Sequence, residues 1–166
     1  YLTSSTYGNI TGNTINSYDS GIYLDSSSYS EITGNNITSA QGYGILNEYQ
    51  GSGMPITNNN IAVTAGGPPN AGISTWSTNQ NISGNNIYAY SSRGISFGGS
   101  AQYSTLIGNS ISTDGSSDEA IYSSNLDHVT FIGNNITSRS DKGIYFGSGS
   151  SYSIFINNNI TANIEG

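Results

Sequence analysis

A single hexapeptide pattern constrains this chain more than anything else in it. It reads apolar, any residue, Gly or Asn, Asn, small polar, Ile, and is seen at its plainest in Ile32-Thr33-Gly34-Asn35-Asn36-Ile37. Seven copies start at residues 10, 32, 56, 82, 106, 131 and 155, so successive starts lie 22 to 26 residues apart. A fixed period in this range is the mark of a solenoid, in which each repeat buries its apolar face only against its neighbours. The third column (Gly12, Gly34, Asn58, Gly84, Gly108, Gly133, Asn157) holds the two residue types that best tolerate a left-handed backbone, which predicts a tight bend. The fourth column is Asn throughout: Asn13, Asn35, Asn59, Asn85, Asn109, Asn134 and Asn158. An amide both donates and accepts, so Asn repeated at the spacing of paired strands predicts an internal ladder of side-chain hydrogen bonds.

Between these turns runs a second motif: Gly21-Ile22-Tyr23-Leu24, Gly44-Ile45-Leu46, Gly72-Ile73-Ser74, Gly94-Ile95-Ser96-Phe97, Ala120-Ile121-Tyr122 and Gly143-Ile144-Tyr145-Phe146. The repeat therefore predicts an all-β fold, a right-handed single-stranded parallel β-helix of about seven coils with three short strands per coil. Period-2 alternation points Ile22, Ile32 and Ile37 inward and Tyr23, Thr33 and Asn36 outward. Residues 1–166 read as one domain with no linker. The longest departures from the period are the loops Val63 to Gly72, Asn47 to Gly53 and Asp114 to Asp118, where a solenoid carries its sites.

Composition narrows the function. With Arg93, Arg139 and Lys142 as the only basic side chains and a net charge of -7, nucleic acid and anionic membranes are poor partners. No apolar run approaches the roughly 20 residues of a membrane helix, so membrane insertion is not expected. The chain opens within a repeat at Tyr1 and has no evident capping segment at either end, as expected of a mature form or an excised segment.

The cadence Gly-Ile-x-apolar … Ile-x-Gly-Asn-Asn-Ile-Thr resembles the parallel β-helix repeat of the pectin-lyase-like superfold. It is most similar to the Asn-rich versions in archaeal and bacterial surface and adhesin-like proteins, over Tyr7 to Thr161. That superfold hosts lyases, hydrolases and passive structural proteins alike. Its enzymes carry Asp clusters, with calcium and an Arg or Lys base in the lyases. Here no two strand-borne Asp stack in adjacent coils facing out, and no basic residue lies near Asp25 or Glu31. No catalytic residue carries over, and the segment reads as non-enzymatic.

Several weaker features remain. Asp114, Asp118 and Glu119 on one loop, with Asp141 a coil later, are a candidate oxygen-ligand set for calcium; a solvated acidic turn beside Arg139 and Lys142 is the plainer alternative. Otherwise no cofactor is implied. Arg93, Glu119 and Lys142 precede the Gly-Ile motif in consecutive coils and predict an ion ladder. Tyr23, Tyr122 and Tyr145 share one outward column; Tyr7, Tyr29, Tyr103, His128 and Tyr152 share another. Such rows pack across strands or stack on sugars. Sequons at Asn9, Asn36, Asn81, Asn135 and Asn159 suit an extracellular or cell-surface setting with glycosylation. The outward column Thr11, Thr33, Thr57, Ser83 is too short for a flat ice-binding array, because it turns to Ile107, Ile132 and Ile156. Those three, beside Ile154, form an apolar stripe that predicts association with copies of the same chain, side to side or end to end. The expectation is an extracellular structural or adhesive β-helix that self-associates into a larger assembly or filament. The alternative is a non-catalytic carbohydrate-binding segment of a larger β-helix polysaccharide-active enzyme.

Overall fold

The computed structural model describes the whole chain except residues 1, 5–7, 29, 49–51, 68, 100, 116–118, 140 and 164–166. Tyr7, Tyr29 and Asp118 thus lie outside the described residues. Three seven-stranded sheets account for the described strands, and no helix occurs among these residues. Each strand pairs in parallel with the strand three places further on, so the chain climbs one sheet spacing per coil. The result is a right-handed parallel β-solenoid with three strands per coil. The register follows the repeat: Ile56, Ile82 and Leu106 are direct partners, as are Ile61, Ile87 and Ile111, and Ile73, Ile95 and Ile121.

These columns are the core. Ile22, Ile32 and Ile37 are buried, as are their counterparts through Phe131 and Ile136. The glycine of the Gly-Ile motif owes its place to packing: a Cβ on Gly72 would lie 2.4 Å from Ile87 Cγ2. In the last coil, which keeps the same register, Phe155 and Ile160 occupy inward columns and are exposed.

All seven residues of the third column adopt the left-handed backbone, with φ from +52° to +69°. That bend aims the following Asn into the turn, and the predicted ladder forms without a break. The backbone N–H of each Asn donates to Oδ1 of the next at 2.9–3.0 Å. Its Nδ2 donates to the same oxygen at 2.8–3.0 Å. From Asn35 onward, Nδ2 also donates back to the first motif carbonyl of the preceding coil, at 2.7–2.9 Å. The five inner amides are buried, Asn13 is exposed and Asn158 is half-buried. A second, outer ladder adds to it: Asn86 donates to Asn60, Asn60 to Asn36, and Asn159 to Asn135. Asn36, Asn135 and Asn159, together with Asn9 and Asn81, are exposed.

Candidate functional site

The outer faces of the three sheets differ in chemistry, and register explains how. On the sheet that leads into the ladder, Thr11, Thr33, Thr57, Ser83, Ile107, Ile132 and Ile156 form one outward row. Thr33 and Thr57 hydroxyls bond at 2.8 Å. The row then turns apolar: Ile107 is 40% exposed, Ile156 43% and the adjacent Ile154 52%, with Ile132 half-buried between them. The predicted stripe is therefore continuous and reaches solvent.

The described carboxylates of the acidic loop pair with cations, and Asp118 lies outside the described residues. Arg139 Nη1 donates to Asp114 Oδ2 at 2.9 Å, Arg93 Nε to Glu119 Oε2 at 3.2 Å, and Lys142 Nζ to Asp141 Oδ1 at 2.9 Å. Each described carboxylate of the candidate calcium set thus faces a cation, and among the described residues no three acidic or imidazole groups converge as metal ligands. The ion ladder forms only its first rung, Arg93 to Glu119. Lys142 turns instead to its chain neighbour, whose hydrogen bond holds the Asp141 carboxyl below the usual range and lifts the Lys142 ammonium above its own.

Tyr103, His128 and Tyr152 occupy one corner column with φ of +56°, +55° and +53°, a conformation costly for aromatic residues. Their rings stack in sequence, with centroids 5.0 and 4.9 Å apart. The faces are turned on one another, so the row presents mainly edges to solvent. His128 Nδ1 sits 2.9 Å from Asp127 Oδ2, and Ser151 Oγ donates to Asp127 Oδ1 at 2.6 Å. These two bonds, that from Ser151 first, hold the Asp127 carboxyl below its ordinary value. A depressed carboxylate stabilises the fold above its unfolded pKa, near 4, and loses that contribution as pH falls through the folded value. In Ser151→Ala the Asp127 carboxyl, followed by NMR titration, is expected to move up toward the ordinary range; an unmoved titration would assign the depression to His128 alone.

The remaining outer face, on the Gly-Ile sheet, carries a groove. Its outward row runs Tyr23, Leu46, Ser74, Ser96, Tyr122, Tyr145. Tyr122 and Tyr145 stack with centroids 5.6 Å apart, and the Arg93 guanidinium lies 3.5 Å from the Tyr122 ring centre. Two successive serines leave the row without bulk between Leu46 and Tyr122, and a cavity of about 220 Å³ opens over them. Trp76 and Gly98 line it together with Tyr43 and Pro69 of the preceding loops. Trp76 is 45% exposed and lies flat on the next coil: a Cβ on Gly98 would fall 2.6 Å from Trp76 Cγ. Burial, with Glu48 adding, raises the Tyr43 phenol above its ordinary value, so near neutrality it is a donor. Sequence reasoning missed this groove. Its signal is a gap in a tyrosine row followed two residues later by Trp76 beside Gly98.

Comparison with known proteins supports the repeat more than any site. Residues 1–80 match the family described as periplasmic copper-binding protein (NosD). Among curated proteins none matches. One solved structure aligns: HetL, a pentapeptide repeat protein involved in heterocyst differentiation regulation from the cyanobacterium Nostoc sp. strain PCC 7120. It is 9% identical over 93% of this chain and 87% of that one, with a TM-score of 0.15, too loose to carry an argument. No helix among the described residues is long and apolar enough to cross a membrane. By its own sheet order, register and Asn ladder, the chain is a parallel β-helix.

Proposed function

We propose that this chain is a non-enzymatic extracellular structural or adhesive module whose rod packs side to side against a copy of itself. The observation that carries the reading is the stripe Ile107, Ile132, Ile156 with Ile154, in register over three coils and open to solvent. β-Branched side chains in such a row bury well against a second flat sheet, and a soluble rod gains little from exposing them. The buried ladder supports the rigid part of the role. The periplasmic description of the family matched over residues 1–80 agrees with a setting outside the cytoplasm. Sedimentation velocity is expected to show a species larger than the monomer that dissociates on Ile132→Asp. A monodisperse monomer at high concentration, unchanged by that substitution, would sink the proposal.

A copper-binding role is not proposed. Residues 1–80 contain no His or Cys, and Met54, the only methionine, is fully buried. His128, the only histidine, lies beyond that stretch and directs Nδ1 to Asp127. A second reading, carbohydrate binding without catalysis, is favoured by one observation, the groove over Ser74 and Ser96.

A further inference from the structure

We infer that Tyr122 and Tyr145 are an oxidative cross-linking site, where hydrogen peroxide used by a haem peroxidase joins the two rings into a dityrosine. The bond runs from an ortho carbon of one phenol to an ortho carbon of the other and ties two coils together. The inference goes beyond the structural role proposed above and is independent of the Ile stripe, which lies on another sheet.

Register makes the pair. Tyr122 and Tyr145 are direct partners on the adjacent parallel strands Ile121–Ser123 and Ile144–Phe146. Backbones in such a pair stand about 4.8 Å apart. The two rings are nearly parallel, with 13° between their planes and centroids 5.6 Å apart. They already face one another, so the encounter that limits coupling between free phenols is made in advance. Closing the remaining gap takes rotation about side-chain torsions, which an outward row permits, and Tyr145 is 37% exposed. Tyr122 is the steadier partner. The Arg93 guanidinium lies 3.5 Å from its ring centre and comes from the strand on its other side, Arg93–Phe97, so Tyr122 is held between Arg93 and Tyr145.

Other described tyrosines are placed less well for this chemistry. Tyr88 and Tyr90 are exposed, but their register partners are Ala62, Ser112 and Asp114. The two stand two positions apart along one strand, about 6.6 Å, farther than the spacing between strands. Tyr103 and Tyr152 share a column, with the His128 ring stacked between them.

The electrons and atoms balance. Each phenol gives one electron to the oxidised haem and one proton to water, leaving a neutral radical shared between its oxygen and its ortho carbons. Two such radicals form one C–C bond, and the hydrogens on the joined carbons move to the oxygens to restore both phenols. The pair loses two hydrogen atoms in all, and one hydrogen peroxide takes up two electrons and two protons to become two waters. The chain has no cysteine, so no disulfide can join its coils. A link between residues 122 and 145 restricts the unfolded chain as a disulfide would, and it secures the last coil, whose Phe155 and Ile160 are exposed.

The full chain is treated at high dilution with hydrogen peroxide and a haem peroxidase, then digested with trypsin, which cuts after Arg93, Arg139 and Lys142. The expected product has the mass of one chain less two hydrogens and the blue fluorescence of a dityrosine. In it the peptide 94–139 is joined to 143–166, and fragmentation places the link at Tyr122 and Tyr145. Those peptides also carry Tyr103 and Tyr152, so two variants separate the pairs. Tyr145→Phe keeps a stacked ring without a phenol, and is expected to lower the yield of that product about tenfold or more. Tyr152→Phe is expected to leave it unchanged. Because the link is mapped on the unmodified chain, the test survives a variant that fails to fold. A link mapped to Tyr103 and Tyr152, or an undiminished yield in Tyr145→Phe, would overturn the inference. So would cross-links found only between separate chains, or no cross-linked monomer under conditions that couple free tyrosine.

Discussion

Replacing Phe131 by alanine is expected to lower stability by about 3–5 kcal/mol, among the largest effects of any single truncation at a described residue. Phe131 is fully buried, and its ring lies parallel to that of Phe155 with centroids 4.6 Å apart and 6.0 Å from that of Phe146. Neighbouring coils cannot move into the space without breaking the strand register on either side, so the site collapses poorly. Since a solenoid is held together by contacts between adjacent repeats, the loss should fall unevenly. Hydrogen exchange is expected to accelerate most in the strands Thr130–Ile132, Ile154–Ile156 and Asn159–Ala162, and least in Ile22–Asp25. Phe155→Ala, at a side chain already 44% exposed, should cost much less. Equal shifts of the denaturation midpoint for the two would contradict this account of the core.

Asn109→Ala is expected to cost about 1–3 kcal/mol, although it removes little apolar contact. The Asn109 carboxamide oxygen accepts both the backbone N–H and Nδ2 of Asn85 at 3.0 Å, and its Nδ2 donates to the Ile82 carbonyl at 2.9 Å. Alanine leaves the buried Asn85 backbone N–H without that partner, at about 1 kcal/mol or more for the stranded N–H. It also takes one bond each from the Ile82 carbonyl and from Asn85 Nδ2, which keeps the Ile56 carbonyl at 2.7 Å. Asn13 is exposed, and its side chain only donates, to Thr11 and Asn35, while its backbone N–H keeps its bond to Asn35 in any substitution. Asn13→Ala should therefore shift the midpoint by a fraction of that amount. Equal and near-zero effects at the two positions would mean that the amides contribute nothing as a chain.

The contrast between these sites shows which parts of the molecule are legible in sequence. A property carried by every coil is amplified by repetition, so the ladder, the left-handed bend at Gly34 or Asn58, and the inward columns of Ile all stand where the period puts them. A property of one coil has no such support. Arg93 and Glu119 are short of alternatives and pair across coils, but Lys142, on a long exposed stem, finds Asp141 beside it in the chain. The groove is harder still, because it arises where side-chain volume is missing, at Ser74, Ser96 and Gly98, and is completed by Tyr43 and Pro69 from loops outside the repeat. The outer amides Asn36, Asn60 and Asn86 stand in a column read as merely small and polar, yet they are linked along the rod, Asn86 donating to Asn60 and Asn60 to Asn36.

The ladder and all three sheets share one direction: every bond between coils points along the axis of the rod. The molecule therefore has an anisotropic mechanical response. Tension along the axis loads those bonds head-on and opens them one coil at a time, whereas bending must strain three sheets together. A coil of about 24 residues that peels away gives up about 4.8 Å of rod and releases about 80 Å of extended chain. Under load the structure behaves as a stiff strut up to a threshold, and beyond it as a tether that lengthens in steps, absorbing work at each coil before the next one yields.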